Sequence, residues 1–269
     1  MTKVSVVTAT YNGERFLEQT MSSALTQEGV DMEYVIVDDA STDGTRKIVS
    51  AFTDESSPFY DSRIKAYFRN RHRGIEETYR EGVEKSTGDF IKILDHDDIL
   101  PFTWALQRQA EIMESDESIW TVASSSHYID QSSRRYKTHA YKARTGKVDK
   151  AQLRRRLLFS PTTPFTHGSM MSRREAYDAF RCFDQELLCN VLNSGKEIYY
   201  IDEPLFAYRT YTGNTSNTLA TRIKMARYKA NQVEVLANNG LKPYIVPIAV
   251  YRVLVELGKT ALLQIRSKR

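Results

Sequence analysis

The feature that most constrains this chain is an alternation. Short apolar, β-branched runs take turns with amphipathic stretches, and the segments joining them are short. "VSVVTA" reads as a buried strand and "YNGE" as the turn after it. "RFLEQTMSSALTQ" then places Phe16, Leu17, Met21, Ala24 and Leu25 at helical spacing. "EYVIVD" is a second strand, turning through "DASTDGT" into the helix "RKIVSAF". "RIKAYF" is a third strand, "GIEETYREGVEKS" a helix ending near Gly88, and "DFIKIL" a fourth strand that runs straight into Asp95. This order predicts an α/β fold with a Rossmann-like, mainly parallel, doubly wound sheet flanked by helices.

In such sheets ligands bind beyond the carboxyl ends of the strands. Those ends carry Thr10-Tyr11-Asn12, Asp38-Asp39 and Asp95 to Asp98, so three polar clusters converge on one edge. No G-x-G-x-x-G follows the first strand and no G-x-x-x-x-G-K-[ST] occurs anywhere, which excludes the usual glycine loops for dinucleotides and triphosphates. Phosphate would then be neutralised by a divalent cation on carboxylates, and Mg²⁺ or Mn²⁺ needs only one or two from the protein. Acids at alternate positions put Asp95 and Asp97 on one side of an extended strand end. The competing reading has Asp97 or Asp98 capping the helix that contains Trp104 and Leu106. Both readings stand at this point.

Composition narrows the function classes. The 269 residues carry a net charge of only +4, the basic residues are scattered, and no nucleic-acid-reading motif occurs, so nucleic acid is not an expected partner. Two cysteines, Cys182 and Cys189, fit neither a disulfide framework nor a zinc site, and a reducing, cytoplasmic setting is expected. Residues 219–269 read as two helices, "TRIKMARYKANQVEVLANNG" and the more apolar "PYIVPIAVYRVLVELGKTALLQIRSKR". Arg252, Glu256 and Lys259 interrupt the second, so it suits packing on the core or a second copy, or lying at the inner face of a membrane, but not spanning one.

The chain resembles the family 2 glycosyltransferases, nucleotide-sugar-dependent enzymes of the GT-A fold. The matching segments are "VSVVTATYNGERFLEQTMSSALTQ", "EYVIVDDASTDGT", "NRHRG", "TGDFIKILDHDD", "HGSMMSRREAY" and "YYIDEPLFAYR", in the family's order. The resemblance implies a nucleotide-sugar-binding half (1–98), an acceptor-binding half (99–218) and a C-terminal helical extension (219–269). It also implies that Asp95-x-Asp97 is the D-x-D motif. Asp97 would bind Mn²⁺ or Mg²⁺, and Asp95 would contact the ribose or the metal's water shell. Thr10, Tyr11 and Asp39 would cradle the nucleobase, Asp38 would tie down its turn, and Arg71 would lie near the diphosphate or base. Asp98, Trp104 and His167 are acceptor-side candidates. The implied chemistry is transfer of a sugar from a nucleoside-diphosphate sugar to an acceptor hydroxyl, with inversion, in polysaccharide or glycan synthesis.

One departure from the family pattern concerns the general base. Members usually carry a Glu-Asp pair opening a helix after the "HGSMMSRREAY" segment. Here "FDQELLCNVLNSG" contains no such pair, and the segment after Leu188 reads as shortened. Asp184 and Glu186 are the nearest acids, and by this reading they precede the base position. Either another group serves as base, or the chain binds a sugar nucleotide with impaired or no turnover.

Overall fold

A computed structural model describes residues 2–141, 144–159 and 163–212. The C-terminal helices expected over 219–269, with their membrane or dimer roles, lie outside these residues. The described part opens with β1 (Lys3–Thr10), α1 (Leu17–Leu25), β2 (Asp31–Asp38), α2 (Thr45–Thr53), β3 (Ile64–Phe68), α3 (Ile75–Lys85) and β4 (Phe90–Ile93). These are the four strands and three helices that the alternation predicts. Then come α4 (Ala105–Ser115), β5 (Ile119–Ile129), β6 (Arg135–His139), β7 (Gly146–Lys147) and α5 (Lys150–Phe159). A 3-10 turn at His167–Ser169, β8 (Met171–Arg173), α6 (Arg174–Phe180), α7 (Asp184–Asn193) and β9 (Glu197–Arg209) complete it.

One sheet runs in the order β3-β2-β1-β4-β8-β5-β9-β7, with β6 paired to β5. The expected parallel pairing holds from β3 to β4, where residues 3–93 wind through strand–helix–strand units. It changes at β8, which lies antiparallel to both β4 and β5, and returns for β5 against β9. The sheet is therefore mixed rather than mainly parallel in its second half. The sheet crosses the expected boundary at residue 98 without a break.

Alternation along each strand feeds two cores. Val4 and Val6 of β1 pack with Leu17 and Met21 of α1, Phe52 of α2 and Leu106 and Met113 of α4. Val7 and Ala9 pack on the other side with Tyr79 and Val83 of α3, Tyr177 of α6 and Leu187 and Leu188 of α7. Gly82 lets α3 press onto the sheet, since a Cβ there would come within 2.4 Å of Val7 Cγ1. Among the described residues no helix is long and apolar enough to cross a membrane.

Candidate active site at the strand ends

The turn that carries the acids is built by its backbone. Leu94 still donates its N–H to Val7 O at 3.0 Å, and Asp98 N–H then closes on Asp95 O at 3.1 Å. Thr8 Oγ1 donates to Leu94 O at 2.7 Å, Thr20 Oγ1 to His96 O and Asp98 O at 2.9 and 2.7 Å, and Arg209 Nε to Asp97 O at 2.6 Å. Donors from β1, α1 and β9 thus hold four of the five carbonyls from Leu94 to Asp98, and the turn's own Asp98 N–H holds that of Asp95. None of the acids caps a helix: α4 begins after Trp104 and has no side-chain cap.

The three acids meet different surroundings. Asp95 accepts a hydrogen bond from the Tyr79 hydroxyl, and burial, then the charges of Asp97 and Asp184, push its carboxyl up to about 7. Asp97 is partly exposed, and its Oδ2 accepts from the Tyr211 hydroxyl at 3.1 Å. Asp98 is 1% exposed. Its Oδ1 accepts the Arg209 backbone N–H at 2.7 Å, while Oδ2 is buried without a hydrogen-bond partner. Burial, reinforced by Asp97 and Asp95, drives Asp98 well above the ordinary carboxylate range. An acid so enclosed cannot meet an acceptor, so Asp98 is corrected from acceptor contact to internal anchor.

Could this cluster hold a cation? No group of three or more His, Cys, Asp or Glu among the described residues is disposed to hold a metal by itself. The chemistry nevertheless fits an ion such as Mg²⁺ or Mn²⁺, which takes one or two carboxylates and fills its shell with phosphate oxygens and water. Asp95 and Asp97 supply hard oxygens, and the repulsion from Asp97 and Asp184, which adds to burial in raising Asp95, is negative charge that a cation relieves.

Next to the acids lies a surface suited to a flat ring. Tyr11, 42% exposed, packs on His72 with centroids 4.2 Å apart. Asp39 lies behind it, 2% exposed, and its carboxylate accepts from Arg69 Nη1 (3.1 Å), Arg73 N (2.9 Å), Gly74 N (2.8 Å) and His72 Nδ1 (2.9 Å). Burial raises the Asp39 carboxyl, but these donors outweigh it and hold it below the usual range. With both oxygens committed, Asp39 shapes the loop of residues 69–74 rather than offering itself to a base. Thr10 Oγ1 is buried and unpartnered beside it. Asp38 ties down its own turn through Ser41 N and Arg46 Nε, at 3.2 and 2.6 Å. Arg71 sits on the exposed side of the loop.

The second half of the chain brings another acid to the same place. α7 runs from Asp184 through Leu188 to Asn193, so the helix that the sequence reading shortens is present, and the acid at its N-terminus is Asp184. Its backbone sits at φ 54°, in the left-handed region that Asp tolerates better than most residues. Asp184 Oδ1 accepts from Gln185 Nε2 at 3.1 Å, and its charge acts on Asp95 and on His167. Glu186 is exposed on the outer side of the helix and is not brought to the site. His167 lies in the 3-10 turn, edge-on to Tyr79 at 5.7 Å, with its Nε2 buried and unpartnered. Trp104, 39% exposed, stacks on Phe102 with centroids 4.9 Å apart. A groove of about 270 Å³ between α3 and α6, lined by Arg80, Glu84, Tyr177, Asp178, Arg181 and Phe183 among others, contains none of Asp95, Asp97, Asp98 and Asp184.

Tyr79, His72 and Arg209 were not singled out as site residues by the sequence. Tyr79 falls at core spacing on α3 and is 4% exposed, which is how a packing residue reads. Arg209 is fully buried, yet its chain position at the end of "YYIDEPLFAYR" gives no sign that it clamps a turn more than a hundred residues earlier.

Known proteins resemble this chain in sequence and in fold. EpsE of Bacillus subtilis (strain 168), provisionally named a glycosyltransferase, is 27% identical over 217 residues, spanning 77% of this chain and 73% of EpsE. The succinoglycan biosynthesis protein ExoO of Rhizobium meliloti (strain 1021) is 36% identical over 95 residues, 35% of this chain and 25% of ExoO. Among solved structures, S. aureus TarS in complex with UDP-GlcNAc superposes with a TM-score of 0.71 at 17% identity, covering 94% of this chain and 72% of that one. The mannosyltransferase PcManGT of Pyrobaculum calidifontis, in complex with GDP-Man and Mn²⁺, gives 0.61 at 18% identity over 96% of this chain and 75% of its own. Both share the mixed α/β architecture described above. The family described as glycosyl transferase family 2 matches residues 5–181, a stretch that takes in the acid turn, the Tyr11 and Asp39 loops and the turn bearing His167. The chain belongs to that family and is a glycosyltransferase of the GT-A fold.

Proposed function

We propose that the chain transfers a sugar from a nucleoside-diphosphate sugar to an acceptor hydroxyl, with inversion, as a step in glycan or polysaccharide synthesis. The observation that carries this reading is the meeting of Asp95 and Asp97, from the first half, with Asp184, from the second, closely enough for their charges to act on one another. A donor bound against the acid turn would then have an unspent carboxylate across from it.

The roles follow from the surroundings. Tyr11 and His72 stack on the nucleobase, Thr10 Oγ1 offers it an unused polar atom, and Asp39 keeps the loop in shape behind them. Arg71 stands at the exposed rim, where it reaches the diphosphate. Asp97, with Asp95, would hold Mn²⁺ or Mg²⁺, which when bound offsets the charge that develops on the leaving diphosphate. Asp184 is the general base. The acceptor oxygen attacks the anomeric carbon, the bond from that carbon to the diphosphate oxygen breaks, and the acceptor proton passes to Asp184. His167 contacts the acceptor. That PcManGT was solved with GDP-Man and Mn²⁺, and TarS with UDP-GlcNAc, supports the donor class and the cation.

The test is calorimetric binding of UDP, GDP and dTDP with and without Mn²⁺, for the wild type and Asp97→Ala, paired with nucleotide release from the matching sugar donors. Metal-dependent binding of one nucleotide, abolished by Asp97→Ala, is expected together with turnover. Binding that ignores both metal and Asp97 would remove the cation from the proposal, and no binding at all would overturn it.

A further inference from the structure

Lys92 does not belong in an apolar core. It lies on β4 between Val6 of β1 and Met171 of β8, and it is 0% exposed. Burial drives its ammonium down to about 7. Methionine would fill similar space without that cost, since replacing a buried charge by an apolar group of like shape is commonly neutral or stabilising. A local violation of this kind is expected where a residue serves the site rather than the fold.

Its bonding partner shows what it serves. Lys92 Nζ donates to Gln109 Oε1 at 2.8 Å. Gln109, fully buried on α4, in turn donates from Nε2 to Val122 O of β5 at 3.1 Å and to Ser169 O at 2.9 Å. Ser169 closes the turn that carries His167. Beneath the same turn lies Phe206: a Cβ on Gly168 would come within 2.3 Å of its ring, and Lys92 Nζ is 5.9 Å from the ring centroid. The turn is therefore pressed onto Phe206 and tied to α4 by its last carbonyl, and Lys92 fixes the amide that ties it.

On the other side of that turn is the site. The His167 ring meets Tyr79 edge-on, and Tyr79 donates to Asp95. His167 Nε2 is buried with no hydrogen-bond partner among the described residues. Leaving such an atom unsatisfied costs about 1–3 kcal/mol, so an orphan packed against Tyr79 and within reach of the Asp184 charge calls for a ligand. Charge acts on the ring from both directions. Burial lowers its proton affinity, Asp184 opposes that, and Lys92 adds to it, with a net fall.

We infer that Lys92, acting through Gln109, is a positioning residue that seats the turn of residues 167–169 and so holds His167 in place as the hydrogen-bond partner of the acceptor hydroxyl. The inference rests on the acceptor side of the proposed function and deepens it: the acceptor is gripped by an imidazole whose placement is set from inside the sheet. Lys92 itself touches no substrate.

Histidine-selective ¹⁵N labelling of the full chain tests this, because there are only five histidines and His167→Asn identifies the signal of interest. Lys92→Met should melt no lower than the wild type, shift the His167 imidazole signals and raise its titration toward the ordinary histidine value. Gln109→Met, which keeps the lysine and cuts the link to Ser169, should move the same signals and leave the other four histidines in place. With the acceptor in hand, both variants should lose about 10–100-fold in transfer while UDP binding is unchanged. His167 signals that stay put in Gln109→Met would overturn the inference, and so would loss of the fold in Lys92→Met, which would make the lysine a structural residue. Nucleotide binding by the wild type, scanned over UDP, GDP and dTDP, reports separately on the parent proposal: its absence for all three would sink that reading and leave the imidazole result standing.

Discussion

Asp184→Asn subtracts a charge and leaves the shape, which makes it the sharpest probe of this site. Asparagine tolerates φ 54° as aspartate does, and its Oδ1 can keep the hydrogen bond from Gln185 Nε2. What the fold loses is a carboxylate at the N-terminus of α7, worth about 0.3–1 kcal/mol, offset by relief of repulsion with Asp95. The net cost to stability is therefore below about 1 kcal/mol, a fall in Tm of no more than about 2–4 °C for a chain of this size. The rate stands to lose far more. A general base contributes about 10²–10⁴, which is about 2.7–5.5 kcal/mol of barrier. The two ranges do not overlap, so a melting curve, UDP calorimetry and nucleotide release from the sugar donor separate them. The expected result is a stable protein that binds donor normally and turns it over at least about a hundredfold more slowly. A readout that needs no substrate accompanies it. Removing the Asp184 charge should lower the Asp95 titration from about 7, visible by carboxyl ¹³C NMR in metal-free protein. Turnover within about threefold of the wild type, against the hundredfold floor, would refute the assignment of the base. An unmoved Asp95 would refute the geometry beneath it.

Three further outcomes follow from other contacts. Tyr79→Phe keeps the packed ring and removes the hydroxyl that donates to Asp95, a loss of about 1.5–3 kcal/mol in folded stability, so Tm should fall by about 3–12 °C and donor turnover should drop with it. For Glu33, burial raises the carboxyl, but Lys65, Ser5, Thr87 and Lys3 outweigh it and hold it well below the usual range. A depressed folded-state pKa contributes stability that is present above the unfolded value near 4.5 and is lost as the pH falls through the folded one. Glu33→Gln should therefore cost about 1–3 kcal/mol in urea melts at pH ~7 and show a flatter loss than the wild type toward pH ~4. Gly82→Ala should destabilise by about 1–3 kcal/mol in the same assay, because its new methyl would lie 2.4 Å from Val7 Cγ1 at the α3–β1 contact.

The alternation of strand and helix was legible because each element declares itself locally, by period and by the turn residues that follow it. The acid turn was legible for the opposite reason: carboxylates abutting a buried strand break the pattern that a core would impose. What escaped was non-local. The antiparallel insertion of β8 depends on a three-residue segment finding β4 and β5, and three residues carry no periodic signal. Asp39 reads as a base contact until the loop of residues 69–74 folds back and takes up both its oxygens. The start of α7 at Asp184 was hidden because it has no side-chain cap and its preceding residue is Phe183, so nothing in "FDQELL" marks where the helix begins. Tyr79 and Arg209 are buried residues whose partners lie far along the chain, and burial alone cannot distinguish a packing residue from one that aims a carboxylate.

The acids of this site fall into two kinds, and their hydrogen-bond donors tell them apart. Asp38 is met by the Arg46 guanidinium and Asp39 by Arg69 with two backbone N–H groups, so both are tied into the protein. Among the described residues, the hydrogen bonds to the carboxylates of Asp95, Asp97 and Asp184 come instead from neutral groups: the phenols of Tyr79 and Tyr211 and the amide of Gln185. A guanidinium or ammonium on these oxygens would cancel their charge and compete with any cation or proton that approached. A phenol or an amide fixes where the oxygens point and leaves the charge uncancelled. Side-chain donors from Thr8, Thr20 and Arg209 to the backbone carbonyls make this affordable to the fold, because the turn keeps its shape through its carbonyls rather than through ion pairs to its side chains. Carboxylates aimed by neutral donors suit the proposed transfer, in which one part of the site attracts a cation with a diphosphate and another accepts a proton.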